Sequence, residues 1–424
     1  MTGTVSTVIT GIGVCAPNGL GTEAYWAATL AGHTGIGRLT RFDPTSYPAQ
    51  LAGEVPGFVA GEHLPGRLLA QTDPVTQLSL AAADWALADA GVEAGTYPEY
   101  AMGVVTASSS GGFEFGQREL ENLWRRGAQY VSAYQSFAWF YAVNTGQISI
   151  RNGMRGPSGV VVTDQAGGLD AVAMARRAVR RGTPLMVTGA VDSSLCPWGW
   201  AAQLAGGGLS HRTEPDRAYR PFDADANGYV PGEGGAILVL EDAAAARARG
   251  RSGYGAVAGY AATFDPPPGS DRPSTLRKAV EGALADAGRR PSDVDVVFAD
   301  AAGSLAADRV EAQVLRDVFG PRGVPVTAPK TMTGRLYAGG AALDIATALL
   351  AIRDGVIPPT VNVTRLAPGC DLDLVAGRPR ERQLGTALVL ARGRGGFNAA
   401  MVLTAVPADV EGGARTCTSS PSKT

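Results

Sequence analysis

The chain has 424 residues, 45% of them hydrophobic, and a formal net charge of −2. Such a chain is long and apolar enough to build two or three domains' worth of packed core, which excludes a disordered segment. Its balanced charge offers no basic field for nucleic acid or an anionic membrane, and no apolar run approaches the roughly 20 residues that span a bilayer.

The first element is a glycine-broken strand, Val5 to Cys15. No Lys or Arg precedes Arg38, so the positive n-region of a signal peptide is missing and a cytoplasmic protein is expected. Helical patterns follow at Pro74 to Ala90, Gly168 to Arg181, Leu276 to Ala287, Arg309 to Phe319 and Ala338 to Arg353. The first opens with Asp73 as N-cap and Pro74 at the first helical position. Apolar runs at Ala101 to Val105, Gly159 to Val162, Leu185 to Val187, Ala236 to Leu240, Val294 to Phe298, Thr386 to Leu390 and Ala400 to Leu403 read as buried strands. This alternation predicts an α/β fold with helices layered on sheets.

An internal echo runs through it. Val160 to Pro184 and Val326 to Pro358 each read strand, small-residue turn, helix, then Gly and Pro, which predicts a duplicated unit divided near Asp242 to Ser252. Residues 408–424 are small, polar and aperiodic, and read as a disordered tail.

The chemistry is expected in GPSGVVVTDQAGGLDA, Gly156 to Ala171. A strand runs into a tight turn and a helix starts at once, so a side chain on that elbow meets the positive end of the helix dipole. Enzymes place a nucleophilic Cys or Ser there, but here the elbow carries Gln165, whose amide cannot form an acyl-enzyme. His33, His63 and His211 all lie in polar, turn-like sequence and are expected to be solvated. Cys15, Cys196, Cys370 and Cys417 show no metal or disulfide spacing. Cys196 lies in a Pro/Trp-rich stretch and Cys15 at a strand end; neither is expected to open a helix, which argues against a substitute thiol.

With these residues in view, the sequence resembles the β-ketoacyl synthases of the thiolase superfamily. Within them it resembles the chain length factors, the β subunits of type II aromatic polyketide ketosynthases. VVVTDQAGGLDA, AVDSSLCPWGWAAQLAGGGLS, YRPFDADANGYVPGEGGAILVLED, GVVTASSSGGFEFGQRELENLW and GRGGFN carry the resemblance, which covers roughly residues 5 to 405. It implies a thiolase-like duplicated fold in five layers, αβαβα, with ketosynthase-like halves at 1–245 and 246–407. Active synthases carry Cys at the elbow, where this chain has Gln165. Their two histidine turns match Asp300-Ala301-Ala302-Gly303-Ser304 and Lys330-Thr331-Met332-Thr333-Gly334-Arg335. Gln165, Asp300 and Arg335 thus replace the nucleophile and both histidines, and Lys330 alone is kept. Asp300 has the wrong charge to stabilise an oxyanion and is expected to pair with Arg335 or Lys330. Arg394 stands where the family's terminal glycine loop has its gating Phe.

The resemblance implies a non-condensing subunit with no cofactor and no metal. Its partners would be a catalytic ketosynthase, in a heterodimer, and an acyl carrier protein. Tyr130 to Tyr141 holds six of the chain's 29 aromatics, and Tyr134, Phe137, Trp139 and Phe140 are expected at the partner interface. Phe113, Gly116 and Leu120 share one helical face, and the resemblance places them on the wall of a polyketide tunnel that sets chain length. With only Phe113 large among them, a long product is expected, a decaketide or longer. The rival reading has Gln165 decarboxylate malonyl-carrier protein to make the acetyl starter.

Overall fold

A computed structural model describes residues 6–93, 97–267 and 269–406. The tail expected at 408–424 lies outside them. The five longest strands of the first half are β1 (Thr7–Ala16), β2 (Met102–Ala107), β3 (Ser158–Val161), β4 (Leu185–Asp192) and β5 (Gly234–Asp242). They lie side by side as β3-β2-β4-β5-β1. Five more follow: β6 (Gly255–Phe264), β7 (Val296–Phe298), β8 (Pro325–Thr327), β9 (Thr386–Arg392) and β10 (Phe397–Thr404). These lie as β8-β7-β9-β10-β6. Counted from its own first strand, each set reads 3-2-4-5-1. In each set the 3-2 and 2-4 pairs are parallel and the 4-5 and 5-1 pairs antiparallel. The echo in the sequence is therefore a repeat of topology. The sets join edge to edge where Val8 and Ile9 pair with Ala256 and Gly255.

The helices that cover the strands are α1 (Pro74–Ala90), α2 (Phe113–Arg126), α3 (Val143–Asn152), α4 (Gly167–Arg180), α5 (Pro197–Ala205), α6 (Leu276–Ala287), α7 (Leu305–Phe319) and α8 (Ala338–Asp354). Helix α1 packs on β1 and β5, and α6 packs on β6 and β10 with α7 beside it. Helices α4 and α8 pack on each other between the two strand sets. The order is helix, sheet, helix, sheet, helix: the five-layered αβαβα arrangement. Position in this stack explains composition. Every residue of α8 from Ala338 to Ala351 is buried, and a helix covered on all sides has no polar face to show. The two central helices approach closely because α4 opens with Gly167-Gly168. A Cβ on Gly168 would sit 2.5 Å from the Ala338 carbonyl oxygen.

Two expectations are corrected here. The run at Gly159 to Val162 is not a buried strand: β3 is the outermost strand of its set, Ser158 is exposed and Val162 is 47% exposed. Among the described residues no strand pairs with its outer edge. The ten-residue strand β6 was not anticipated, because GAVAGYAATF is built of small residues with no strong alternation.

Candidate functional site

The elbow forms as the spacing predicts. Strand β3 ends at Val161, a 3-10 turn spans Asp164–Ala166, and α4 starts at Gly167. Asp164 sits at φ 52°, in the left-handed region that L residues avoid. Ala301 (φ 51°) and Tyr337 (φ 52°) do the same in the second half, Ala301 inside the turn Asp300–Ser304 and Tyr337 two residues past Arg335, as N-cap of α8. Backbone strain of this kind persists only where the surroundings over-determine it. The half-buried Gln165 lines a cavity of about 510 Å³ together with Asp300, Arg335, Tyr229, Tyr337 and Arg394. Gln165, Asp300, Arg335 and Arg394 are thus brought together from four distant stretches. Lys330 is buried beside them.

The charges at the back of the cavity are spent on one another. Arg335 donates from Nη2 to Asp300 Oδ1 at 2.9 Å and from Nη1 to Oδ2 at 3.3 Å. Arg335 Nη1 also donates to the Asp300 carbonyl at 2.7 Å. The Arg392 backbone N–H adds a bond to Asp300 Oδ1 at 2.8 Å. Burial opposes the Asp300 charge, yet Arg335 and then Lys330 hold its carboxyl below the ordinary value. Arg335 is fully buried and is raised well above its own range, the Asp300 charge outweighing the cost of burial. Lys330 Nζ takes a different partner. It forms an ion pair with Asp344 at 2.7 Å and donates to the carbonyls of Ala299 (2.7 Å) and Asp300 (3.2 Å). An ammonium has three donors, so none is left to polarise a substrate. Behind the pair, buried Glu311 accepts from the backbone N–H groups of Asp300 (2.7 Å) and Ala301 (2.9 Å). Burial, then the nearby Asp300 charge, raise its pKa.

Arg394 closes one side. Its backbone N–H donates to Asp164 Oδ2 at 2.7 Å and its guanidinium to the Gly206 carbonyl, which straps the terminal glycine loop to the elbow and to the end of α5.

The other residues lie elsewhere. Phe113, Gly116 and Leu120 are on α2, and Phe113 stacks on Trp198 with ring centroids 4.9 Å apart. A Cβ on Gly116 would meet Trp139 Cβ and the Trp198 ring, each at 3.3 Å, so in the single chain two tryptophans fill the space a side chain would take. Trp139 belongs to the aromatic segment, which also carries Tyr134, Trp139, Phe140 and Tyr141 at 37%, 44%, 38% and 40% exposure, with Phe137 half-buried. These rings form an open apolar cluster on the surface of the single chain.

Two sequence expectations fail. Cys196 does open a helix: it is the N-cap of α5, and its Sγ accepts from Gly199 N at 3.4 Å. It is nonetheless no activated thiol, because burial pushes it up to about 11 against the help of that N–H, and Asp73 and Glu114 nearby push the same way. Burial also raises the Cys15 thiol. His63 is not simply solvated. It stacks on Phe58 at 5.4 Å and meets Trp85 edge-on at 5.3 Å. Tyr229, Tyr337 and the carboxylate partners Asp344 and Glu311 were missed, since only folding brings them to the cavity. The one signal for Asp344 was a lone acid inside an apolar helix.

Among the described residues no group of His, Cys, Asp and Glu is placed to hold a metal ion, and no helix is long and apolar enough to cross a membrane. The pattern of the β-ketoacyl synthase N-terminal domain matches residues 6–246, and that of its C-terminal domain residues 254–364. The chain is 62% identical over 398 residues to the tetracenomycin polyketide synthase ketoacyl synthase beta subunit of Streptomyces glaucescens, covering 93% of this chain and 97% of that one. Among solved structures it superposes on the ishigamide ketosynthase/chain length factor with a TM-score of 0.86 and 28% identity, over 95% of this chain and 99% of that one. A ketosynthase bound to a hexaketide, in complex with its type II acyl carrier protein, gives a TM-score of 0.86 and 26% identity, over 95% and 100%.

Proposed function

The chain belongs to the β-ketoacyl synthase family, and from that premise we propose that it is the non-condensing β subunit, the chain length factor, of a type II polyketide synthase. The observation that carries this is the state of the cavity. The elbow holds an amide, and the two groups in place of the histidines are bonded to each other and not held ready for a substrate. A carbonyl developing negative charge there would find the Arg335 guanidinium already bonded to Asp300, so neither side chain is held ready to stabilise it.

The condensing chemistry therefore belongs to a partner ketosynthase. That subunit takes an acyl chain from the acyl carrier protein onto its cysteine. It decarboxylates a malonyl unit and forms the C–C bond by Claisen condensation. This chain supplies half of the heterodimer and a wall of the tunnel. The open edge of β3 and the exposed aromatics Tyr134, Trp139 and Phe140, with Phe137 behind them, support the interface. The packing of Trp139 against Gly116 ties that interface to α2, where Phe113, Gly116 and Leu120 would bound the growing chain. Residues 1–245 and 246–407 are its two ketosynthase-like halves, and the protein works in the cytoplasm.

Coexpression with a cognate ketosynthase tests the reading. A 1:1 heterodimer by light scattering is expected, with the chain alone self-associated or poorly soluble. A monodisperse monomer indifferent to the ketosynthase overturns it. The second reading, malonyl decarboxylation through Gln165, is favoured by the placement of Gln165 on a cavity that persists. Gln165→Ala in the heterodimer separates the two: lost acetyl priming with intact extension would favour decarboxylation.

A further inference from the structure

Helix α2 lacks a cap of its own. Its N-cap is Gly112, which has no side chain to accept the orphan N–H groups of the first turn. The missing acceptor comes from Asp73, 42 residues away in sequence. Asp73 is 2% exposed. Its Oδ1 accepts from Val75 N at 2.9 Å, the second residue of its own helix α1. Its Oδ2 accepts from Phe115 N at 2.7 Å, the third residue of α2. One carboxylate therefore caps two helices, each at a position where an N-cap side chain bonds. The junction leaves no slack. A Cβ on Gly112 would sit 2.9 Å from Asp73 Cβ and 2.1 Å from the Ala138 carbonyl oxygen, so the chain can approach Asp73 only as glycine. Helix α1 is packed on β1 and β5, so Asp73 transmits the position of the core sheet to α2.

We propose that Asp73 is a positioning residue for chain-length control, holding α2 at one depth so that Phe113, Gly116 and Leu120 meet the growing polyketide at a defined point. The inference rests on the tunnel reading of those three residues and goes beyond it. It assigns the precision of product length to a residue outside the tunnel. Unseating α2 would let the wall slide, and one product length would become several.

Asp73→Ser separates the two caps. Serine still caps α1 but is too short to reach Phe115 N, so the fold keeps its cap while α2 loses its tie. Heterodimers carrying Asp73→Ser, Asp73→Ala and, as control, Leu120→Phe are compared by mass spectrometry of their products. Loss of the α2 cap, common to both Asp73 variants, is expected to lower the ratio of the main ketide to its neighbours by roughly fivefold. Leu120→Phe is expected to shift the main product to one shorter length. An unchanged ratio in Asp73→Ser beside a shifted Leu120→Phe overturns the role of Asp73. No shift in Leu120→Phe overturns the tunnel reading beneath it. Should Asp73→Ser fail to pair, hydrogen exchange of the self-associated chain, read beside the unmutated chain in the same state, reports the same tie. The α2 amides from Phe115 to Leu120 should exchange about fivefold faster while those of α1 stay protected, and unchanged α2 exchange overturns the proposal.

Discussion

Arg335 and Asp300 meet as a two-point ion pair, with Nη2 to Oδ1 at 2.9 Å and Nη1 to Oδ2 at 3.3 Å and both side chains buried. Each comes from a different turn of the second half, Asp300 after β7 and Arg335 after the 3-10 turn at Pro329–Met332. The pair neutralises itself and leaves the neighbouring Lys330 to Asp344.

Breaking this pair on one side is expected to be costly. Asp300→Ala leaves a buried guanidinium without its carboxylate, worth about 3–5 kcal/mol. Removing both charges, with Asp300→Leu and Arg335→Met, should cost less than half of that. Urea unfolding checks both. A loss below about 1 kcal/mol for Asp300→Ala would mean that the carboxylate does not sustain Arg335. The Asp300 carboxyl is held below its ordinary value, so its contribution is complete above the unfolded pKa near 4 and disappears as pH falls through the lower folded value.

Restoring the nucleophile alone should restore nothing. Gln165→Cys puts a thiol at the elbow, but Asp300 and Arg335 remain locked and offer no general base or oxyanion donor. A single-turnover assay with acyl- and malonyl-carrier protein is expected to give no C–C bond from the mutant chain alone. Measurable condensation would overturn the assignment of this subunit as non-condensing.

Product length should respond to bulk on α2. Phe113 to Leu120 spans about 10 Å at 1.5 Å per residue, roughly four two-carbon steps. Gly116→Thr with Leu120→Phe is expected to move the main product to a smaller ketide number without ending turnover. Trp139 and Trp198 stand 3.3 Å from a Cβ on Gly116, so the threonine must displace them and should cost about 1–3 kcal/mol of stability by overpacking. Mass spectrometry and thermal melts read the two effects separately. The same product at the same rate would make α2 an ordinary core helix.

Stability should fall as pH rises from about 4.5 towards 7. Burial pushes the carboxyls of Asp73 and Asp308 up to about 7 and that of Asp192 up to about 6, against the backbone N–H bonds each accepts and, at Asp192, the Ser108 and Ser110 hydroxyls. Their folded pKa values exceed the unfolded value near 4, so the folded state holds protons that the unfolded chain has released. Each group opposes folding increasingly across that window, by at most about 4 kcal/mol. Denaturant midpoints at pH 4.5, 6 and 7.5 check the slope, and Asp308→Asn should flatten it. A midpoint that rises steadily to pH 7.5 would show these carboxylates to be charged throughout.

Much of this molecule was legible locally. Asp73-Pro74 marked the start of α1, the apolar runs marked most strands to within a few residues, and Gly167-Gly168 marked the opening of α4. Hydrophobic period, caps and glycine turns act over a few residues, so a linear reading captures them. The same reading placed Gln165 on the elbow and expected Asp300 to pair with Arg335 or Lys330, because residue type and charge are local properties.

Through-space choices were not legible. Asp300 had two cations within reach of the motif and took Arg335, while Lys330 took Asp344 from the middle of an apolar helix. Cys196 proved to cap a helix, β3 proved to be an edge, and Asp73 proved to serve a second helix 42 residues on. The two ion pairs and the second cap of Asp73 depend on segments far apart in sequence being set within about 3 Å of one another. Local preference cannot rank such partners, because the energy that selects them comes from burial and from distances that exist only once the two strand sets have closed on α4 and α8.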